Sequence, residues 1–198
     1  MRKSLFFVIF CFLSLFISER SQADVFNTTR FVLPGQFAIG LESEISFSDG
    51  AGLSGNLRYT HGLTDLSNAY LTLGSGNGTK RFRVGSGVVF DFFPDVDGQP
   101  GIGVSAHGTY YRLESGGRLE LKVTPYLHKT FLVGDNELDP FLAFPLGIGF
   151  GTGGYQTVIN VAVGTLFEHS QHFSFVLELG VAIQNTSTYF SGGIIYYY

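Results

Sequence analysis

Nine charged side chains in this sequence occupy positions from which they could form ion pairs or line a charged path. Each lies in a run of alternating residues, on the face that also carries glycine, serine and other small or polar residues. The nine are Glu42, Glu44, Arg58, Arg81, Arg83, Asp91, Glu120, Lys122 and Glu178. Because burying an isolated charge is costly, charges on an enclosed face must pair with one another or reach water. The set therefore predicts either a static ion-paired interior or a polar path with charge selectivity.

Catalytic and metal-binding motifs are weak in comparison. Ser105 and His107 are two residues apart and share a face, so they would form a nucleophile and base if a carboxylate such as Asp91 oriented the histidine. Ordinary polar residues of that face are the simpler interpretation. Asp95 and Asp97 fill only part of a calcium loop, since the distal glutamate is missing. We therefore predict no catalytic residue, no metal site and no cofactor.

Composition excludes several classes of protein. The net charge is −4, whereas a nucleic-acid partner would favour a basic surface. The chain has a single cysteine, Cys11, which argues against a disulfide framework. Charged residues make up only 14% of the chain, aromatic residues reach 16% without any tryptophan, and glycine is abundant, with 27 residues. The roughly 175 residues that follow residue 23 correspond to one domain.

Short alternating runs separated by Gly, Asp, Asn and Ser clusters fill the chain from Gln36 onward, which is typical of strands and turns. We predict ten strands, with eight as the alternative. The approximate spans are residues 36–47, 52–61, 68–75, 80–93, 101–112, 118–131, 140–151, 154–167, 172–184 and 187–198. Both counts are even, as in single-chain bacterial barrels.

The alternation separates a large apolar face from a small polar one. In the ninth run Phe175, Leu177 and Leu179 share one face, while Glu178 and Gly180 share the other. The apolar face continues through almost every run, which is the pattern of a barrel with apolar residues toward lipid and polar residues toward the lumen. If the first hairpin closes over residues 49–51, Glu42 lies directly opposite Arg58. The inward glycines either leave space in the lumen or admit long Arg and Tyr side chains.

The last eleven residues carry the most specific signal. They read Thr188-Tyr-Phe-Ser-Gly-Gly-Ile-Ile-Tyr-Tyr-Tyr198, with large apolar residues at nearly every second position. A polar residue, a glycine and two aromatics at Ser191, Gly193, Tyr196 and Tyr198 resemble the C-terminal assembly signal of bacterial outer-membrane β-barrels. The chain as a whole is similar to the small barrels of the outer-membrane protein A transmembrane-domain class. The resemblance implies assembly by periplasmic chaperones and the barrel-assembly machinery, and a surface in contact with outer-membrane lipid.

The beginning of the chain agrees with export. Arg2 and Lys3 precede an apolar core, Leu5 to Ile17, which has the length of a signal-peptide centre and is too short to span a bilayer. Small residues at Ser21 and Ala23 predict cleavage after residue 23.

The sequence thus predicts three parts: a cleaved signal peptide at residues 1–23, a periplasmic segment or plug at residues 24–35, and an all-β, antiparallel, up-and-down transmembrane β-barrel at residues 36–198. The predicted location is the bacterial outer membrane. The predicted function is a non-enzymatic, structural envelope role with a mostly filled polar lumen. A narrow, porin-like pore is the alternative, and a lipid-modifying enzyme is a weaker one. The oligomeric state and the physiological partner stay open.

Overall fold

The computed structural model describes residues 30–47, 51–77, 82–96, 98–113, 116–151 and 153–198. Twelve strand segments lie in this part of the chain. They are β1 (Phe37–Ser46), β2 (Gly52–Thr64), β3 (Ser67–Gly76), β4 (Phe82–Phe93), β5 (Gly101–Leu113), β6 (Gly116–His128), β7 (Phe131–Val133), β8 (Asn136–Ala143), β9 (Leu146–Gly151), β10 (Gly154–Glu168), β11 (Phe173–Gln184) and β12 (Tyr189–Tyr197). No helix among the described residues is long and apolar enough to cross a membrane.

The strands form one closed antiparallel sheet. The circle closes where β1 pairs with β12, from Ala38 opposite Tyr197 to Ser46 opposite Tyr189. Closure leaves no exposed edge in the barrel wall, so every strand of the wall has hydrogen-bonding partners on both sides, and only β7, which lies outside the wall, pairs with a single described strand. The up-and-down barrel predicted from the alternation is confirmed.

The barrel has ten strands because β8 and β9 are two halves of one strand. Both halves keep the same register against β6 and against β10, and the ladder lapses only at Phe144 and Pro145. Pro145 has no amide hydrogen to donate, and Pro125 of β6 lies beside the gap, where its carbonyl accepts the Phe144 amide at 3.0 Å. The prediction of ten strands is confirmed, and the alternative of eight is wrong.

A small hairpin projects from one end of the barrel. It consists of β7 and the first residues of β8, joined by Gly134 and Asp135, and Gly134 has a positive φ of 66°. The sequence predicted a sixth strand running on to residue 131 and a seventh beginning at residue 140. Instead, the segments that follow β6 and precede the barrel part of β8 extend past the barrel and pair with each other, with Phe131 opposite Leu138.

The barrel is apolar outside and polar inside, the reverse of a soluble barrel. Along β11 the exposed fraction alternates, with Leu177 at 50% and Glu178 at 1%. Large exposed apolar side chains occur around the whole circumference, among them Leu41, Leu71 and Ile148. An uninterrupted apolar surface of this kind suits contact with lipid.

The barrel has a terminal end and a distal end. The terminal end carries Phe37 and Tyr198, and the distal end carries Ser46, Gly52 and the connection at residues 185–188. Rings line the terminal rim: Phe37 stacks on Tyr198 at a centroid separation of 4.5 Å, Tyr198 meets Tyr196 at 4.6 Å, and Tyr196 meets Phe173 at 4.9 Å. The amide of Tyr198 also donates to the Phe37 carbonyl at 3.0 Å. Tyr198 therefore helps to join the first and last strands of the barrel.

Deleting Tyr198 should impair assembly of the barrel, because it removes both the hydrogen bond and the ring stack on Phe37. The measurement is the fraction of protein that shows the altered gel migration of a folded barrel before boiling. Tyr155→Ala is the matched control. Tyr155 is 76% exposed at the distal end, so this variant should assemble normally. Normal assembly of the shortened chain would show that the terminal signal has been misread.

Candidate functional site

Most predicted charged residues meet in the distal half of the lumen. We call this group the distal charge cluster, and all its members are buried. It consists of Glu42, Glu44, Arg58, Arg83, Arg118, Glu120, Lys122 and Glu178. Inward alternation along β1, β2, β4, β6 and β11 places these side chains on the luminal face.

Glu42 and Arg58 form a two-pronged ion pair. The Arg58 Nε donates to Glu42 Oε1 at 3.0 Å and its Nη2 to Oε2 at 3.2 Å, while the guanidinium lies 4.9 Å from the centroid of the Tyr70 ring. The prediction that the two residues are direct cross-strand partners is wrong, because Arg58 lies opposite Gly40 and Glu42 opposite Asn56. The first hairpin closes one residue earlier than expected, and the length of the arginine side chain spans the diagonal.

A second ion pair joins strands that are not neighbours. Arg83 of β4 donates to Glu44 Oε2 of β1 at 3.1 Å, with β2 and β3 between them in the sheet. Arg83 also donates to the Asn56 side chain, and the Ser46 hydroxyl lies 3.1 Å from Glu44 Oε1. Because these contacts cross the concave inner wall, the side chains occupy the lumen rather than line it.

The remaining members sit on β6 and β11. Glu120 binds Arg118 and Lys122 of its own strand at 2.8 Å each, and Arg118 Nη1 donates to Gln156 Oε1 of β10 at 3.0 Å. Glu178 accepts a hydrogen bond from the Tyr189 hydroxyl. The sequence analysis missed Arg118, although it has the same parity as Glu120 and Lys122 and could have been included on that signal.

Asp91 belongs to a different group near the terminal end. Its Oδ1 accepts the Tyr126 hydroxyl at 2.7 Å, and its Oδ2 lies 3.0 Å from His128 Nε2. His128 Nδ1 in turn lies 3.2 Å from Asp139 Oδ1.

The sequence analysis missed both His128 and Asp139. His128 lies in the predicted sixth strand with the parity of Glu120 and Lys122 and could have been included on that signal, whereas Asp139 falls between the predicted sixth and seventh strands. Arg81, the last of the nine predicted residues, lies outside the described residues.

Long side chains cover the inward-facing glycines. A Cβ on Gly193 would lie 2.8 Å from Glu42 Cγ and 2.8 Å from the Leu41 carbonyl oxygen. The same relation recurs around the wall, where a Cβ would meet a side chain of the neighbouring strand: Gly180 with Tyr189, Gly103 with Tyr126, Gly149 with Arg118, Gly147 with Lys122 and Gly164 with Phe141. Of the two interpretations of these glycines, the structure favours admission of long side chains over open space.

Between the two charged groups lies a level of neutral polar residues. Ser105 is paired with Thr124 across β5 and β6, and Asn160 lies on β10. All three are at least nine-tenths buried, and Ser105 Oγ, Thr124 Oγ1 and Asn160 Oδ1 have no hydrogen-bond partner within the described part of the chain. Buried polar atoms of this kind are usually satisfied by ordered water.

The predicted assembly-signal residues divide between the two faces of β12. Ser191 is buried at 2% exposure, opposite Glu44 of β1 and Glu178 of β11, and Gly193 lies opposite Glu42. Tyr196 and Tyr198 belong to the terminal rim on the outer face. The signal positions therefore combine a tight luminal packing surface with an aromatic rim.

The weaker motifs have other placements among the described residues, from which Asp97 is missing. Ser105 and His107 both point into the lumen and Ser105 is 1% exposed, so neither faces lipid. The Asp95 carboxylate instead caps a connection, because it accepts hydrogen bonds from Lys129 and from the Thr130 amide at 2.7 Å. Partial burial tends to raise the pKa of Asp95, but these hydrogen bonds outweigh it and the pKa is lowered. Within the described residues no group of three or more His, Cys, Asp or Glu is arranged to hold a metal ion.

Comparisons with known proteins identify the fold only. No protein-family model and no curated protein matches the sequence. Among solved structures, the COG4313 outer membrane channel from Pseudomonas putida F1 matches with a TM-score of 0.53 and 12% identity, over 88% of this chain and 100% of that chain. The Acinetobacter baumannii outer membrane protein Omp33 matches with a TM-score of 0.39 and 11% identity, over 84% and 99%. A de novo designed transmembrane β-barrel matches with a TM-score of 0.42 and 13% identity, over 83% and 97%.

The chain therefore has the fold of an outer-membrane β-barrel. It is a closed ten-stranded antiparallel barrel of that class, and its subfamily is left open.

Replacing Gly193 by alanine should lower the free energy of unfolding by about 1–3 kcal/mol, because the added carbon meets the Leu41 carbonyl oxygen, which cannot move without shifting the strand. The neighbouring Gly192→Ala is the control. Its Cβ would first meet the flexible Leu177 side chain at 3.2 Å, so a small change is expected. Denaturant unfolding of both variants in lipid vesicles compares them, and equal effects would refute the packing argument.

Removing one partner of the Glu42–Arg58 pair should lower the free energy of unfolding by about 3–5 kcal/mol, because the other charge is left buried without it. Glu42→Ala and Arg58→Ala should both shift the denaturant midpoint, and the double variant should cost less than the sum. Arg112→Ala, at an exposed position on β5, is the control. An unchanged midpoint in both single variants would eliminate the paired interior.

Proposed function

We propose that this protein is an integral barrel of the bacterial outer membrane with a structural envelope role, a mostly filled lumen and no enzymatic activity. In this proposal the terminal end faces the periplasm, and the apolar outer surface contacts outer-membrane lipid. Periplasmic chaperones and the barrel-assembly machinery deliver the chain after residues 1–23 are removed.

The observation that carries the proposal is the matching of charge and volume inside the distal half. Four acidic and four basic residues make up the distal charge cluster, and ion pairs join Glu42 to Arg58, Glu44 to Arg83, and Glu120 to Arg118 and Lys122. Arginine, lysine and tyrosine side chains lie over the glycines that would otherwise widen the lumen. A pore would instead keep such side chains apart and solvated.

The size of the barrel supports the same conclusion. Eight strands leave an interior that side chains alone can fill, whereas open aqueous channels occur at about 16–18 strands. Ten strands lie near the closed limit. A filled and rigid interior of this size stabilises the barrel and does not serve transport.

The mature chain, refolded into a planar bilayer, should give no discrete current steps. Protease protection and the gel migration of the folded form would establish that the silent protein is inserted. Reproducible single-channel steps from such protein would overturn the proposal, because they require a continuous water path through the distal charge cluster.

A narrow pore is the second candidate, and the level of neutral polar residues favours it. Ser105, Thr124 and Asn160 present polar atoms that water would satisfy, so part of the lumen is suited to hydration. The COG4313 protein with the same fold is described as a channel. If current steps occur, Arg83→Ala should change the reversal potential in a salt gradient, because Arg83 reaches across the inner wall to Glu44. An unchanged potential would exclude a role for Arg83 in ion selection.

A further inference from the structure

Residues 30–33 enter the terminal end of the barrel before the first strand begins. Val32 is 3% exposed and packs among Ala38, Leu166, Val176, Ile195 and Tyr197. Phe31 packs against a second luminal group formed by Val89, Tyr126, Phe141, Ala143 and Ala162. Leu33, the next residue, is 59% exposed. We call residues 30–33 the N-terminal segment. The two luminal groups that pack Phe31 and Val32 form the binding surface for this segment, which we call the seat.

Arg30 fixes the outer end of this segment. Its Nη1 lies 2.9 Å from Glu168 Oε2 and 3.2 Å from Ser174 Oγ, and its Nη2 donates to the Gln171 carbonyl at 3.1 Å. The guanidinium also lies 4.1 Å from the centroid of the Tyr197 ring. These contacts combine charge pairing with a cation–π interaction, which a guanidinium makes better than an ammonium group.

The barrel wall is shaped to receive the backbone of the segment. A side chain on Gly62 of β2 would overlap the carbonyl oxygens of Val32 and Leu33, and the pairing of β2 with β3 is irregular between Gly62 and Thr64. The Val32 amide donates to Asn68 Oδ1 at 3.2 Å. The glycine and the irregular ladder therefore make room for a second chain against the inner wall.

A turn reverses the chain between the segment and the barrel. The Gln36 amide donates to the Leu33 carbonyl at 2.9 Å, and Gly35 has a φ of 80°. Proline followed by a glycine with positive φ is the signature of a type II turn. Because β1 begins only at Phe37 and closes the barrel with β12, the segment can leave its seat without breaking any pairing between barrel strands.

We propose that the N-terminal segment is a releasable plug, and that the seat is a recognition site for a basic, an aromatic and an aliphatic residue in succession, occupied by the chain's own Arg30, Phe31 and Val32. The plug closes the terminal mouth and covers the neutral polar level at Ser105 and Thr124. This inference rests on the proposed closed lumen, and it adds that the terminal half is closed by a movable part.

Release depends on the Arg30–Glu168 contact because the apolar contacts alone do not hold the first residue of the segment. The two side chains are 21% and 20% exposed, so water reaches this contact while Val32 stays buried. Losing the ion pair should therefore raise the fraction of time for which Val32 is accessible, while the closed sheet is unaffected.

Cysteine accessibility in the full-length chain tests the plug. Cys11 is the only natural cysteine, so after Cys11→Ser a single new thiol reports one position. Val32→Cys should react slowly with a small water-soluble thiol reagent in the folded barrel, and Leu33→Cys should react fast. Adding Arg30→Ala or Glu168→Gln should speed the reaction at position 32 by about tenfold or more. It should also expose Ser105→Cys, whereas Arg112→Ala should change neither rate.

Two results would overturn the plug. One is a Val32→Cys rate equal to that of Leu33→Cys in the otherwise unchanged chain, and the other is a slow rate that neither Arg30→Ala nor Glu168→Gln increases in folded protein. The denaturant midpoints of Arg30→Ala and Glu168→Gln should stay unchanged, which separates loss of the contact from general destabilisation. Current through the unchanged barrel would refute the closed lumen but not the labelling result, so the two proposals fail separately.

Discussion

The requirement to satisfy every polar group without water from the bilayer governs this structure. A transmembrane sheet must close on itself, and closure assigns alternate side chains to lipid and to lumen. Large apolar side chains then face outward. The side chains of the distal charge cluster face a lumen that only ten strands enclose. In that confined space the charges meet each other, as Glu44 and Arg83 do across two intervening strands. The ion pairs are therefore a consequence of closure as much as a feature in their own right.

The alternation along each strand is what made the fold readable from the sequence. The period of two in β11 fixed both the strand and its faces, and the parity of Glu42, Arg58 and Glu120 placed them in the lumen. The break at Phe144 and Pro145 was not foreseen, because a proline inside a continuous register interrupts the hydrogen bonds but not the path of the strand. Likewise, one residue of error in the first hairpin moved the partner of Arg58 from Glu42 to Gly40 without dissolving the ion pair.

The sequence could not predict which side chains meet across the lumen. Which inward residues meet depends on the curvature and stagger of the barrel, and these follow from all ten strands together. The group of Asp91, Tyr126, His128 and Asp139 joins β4, β6 and β8 and has no spacing signature. The N-terminal segment was harder still to predict, since a segment as short as residues 30–33 carries no periodicity. The sequence left a tail and a plug as equal alternatives because the residues that hold Arg30 are distant in the chain, with Gln171 and Ser174 141 and 144 positions away.

That separation along the chain determines when the N-terminal segment can dock. Glu168, Ser174 and Tyr197, which hold Arg30, belong to β10, β11 and β12, the last three strands to be synthesised. Until these strands are in place, Arg30 lacks the partners that hold it. Complete docking of residues 30–33 therefore follows the pairing of the last strands, and burial of Val32 against Ala38 of β1 and Ile195 of β12 reports that the first and last strands have joined.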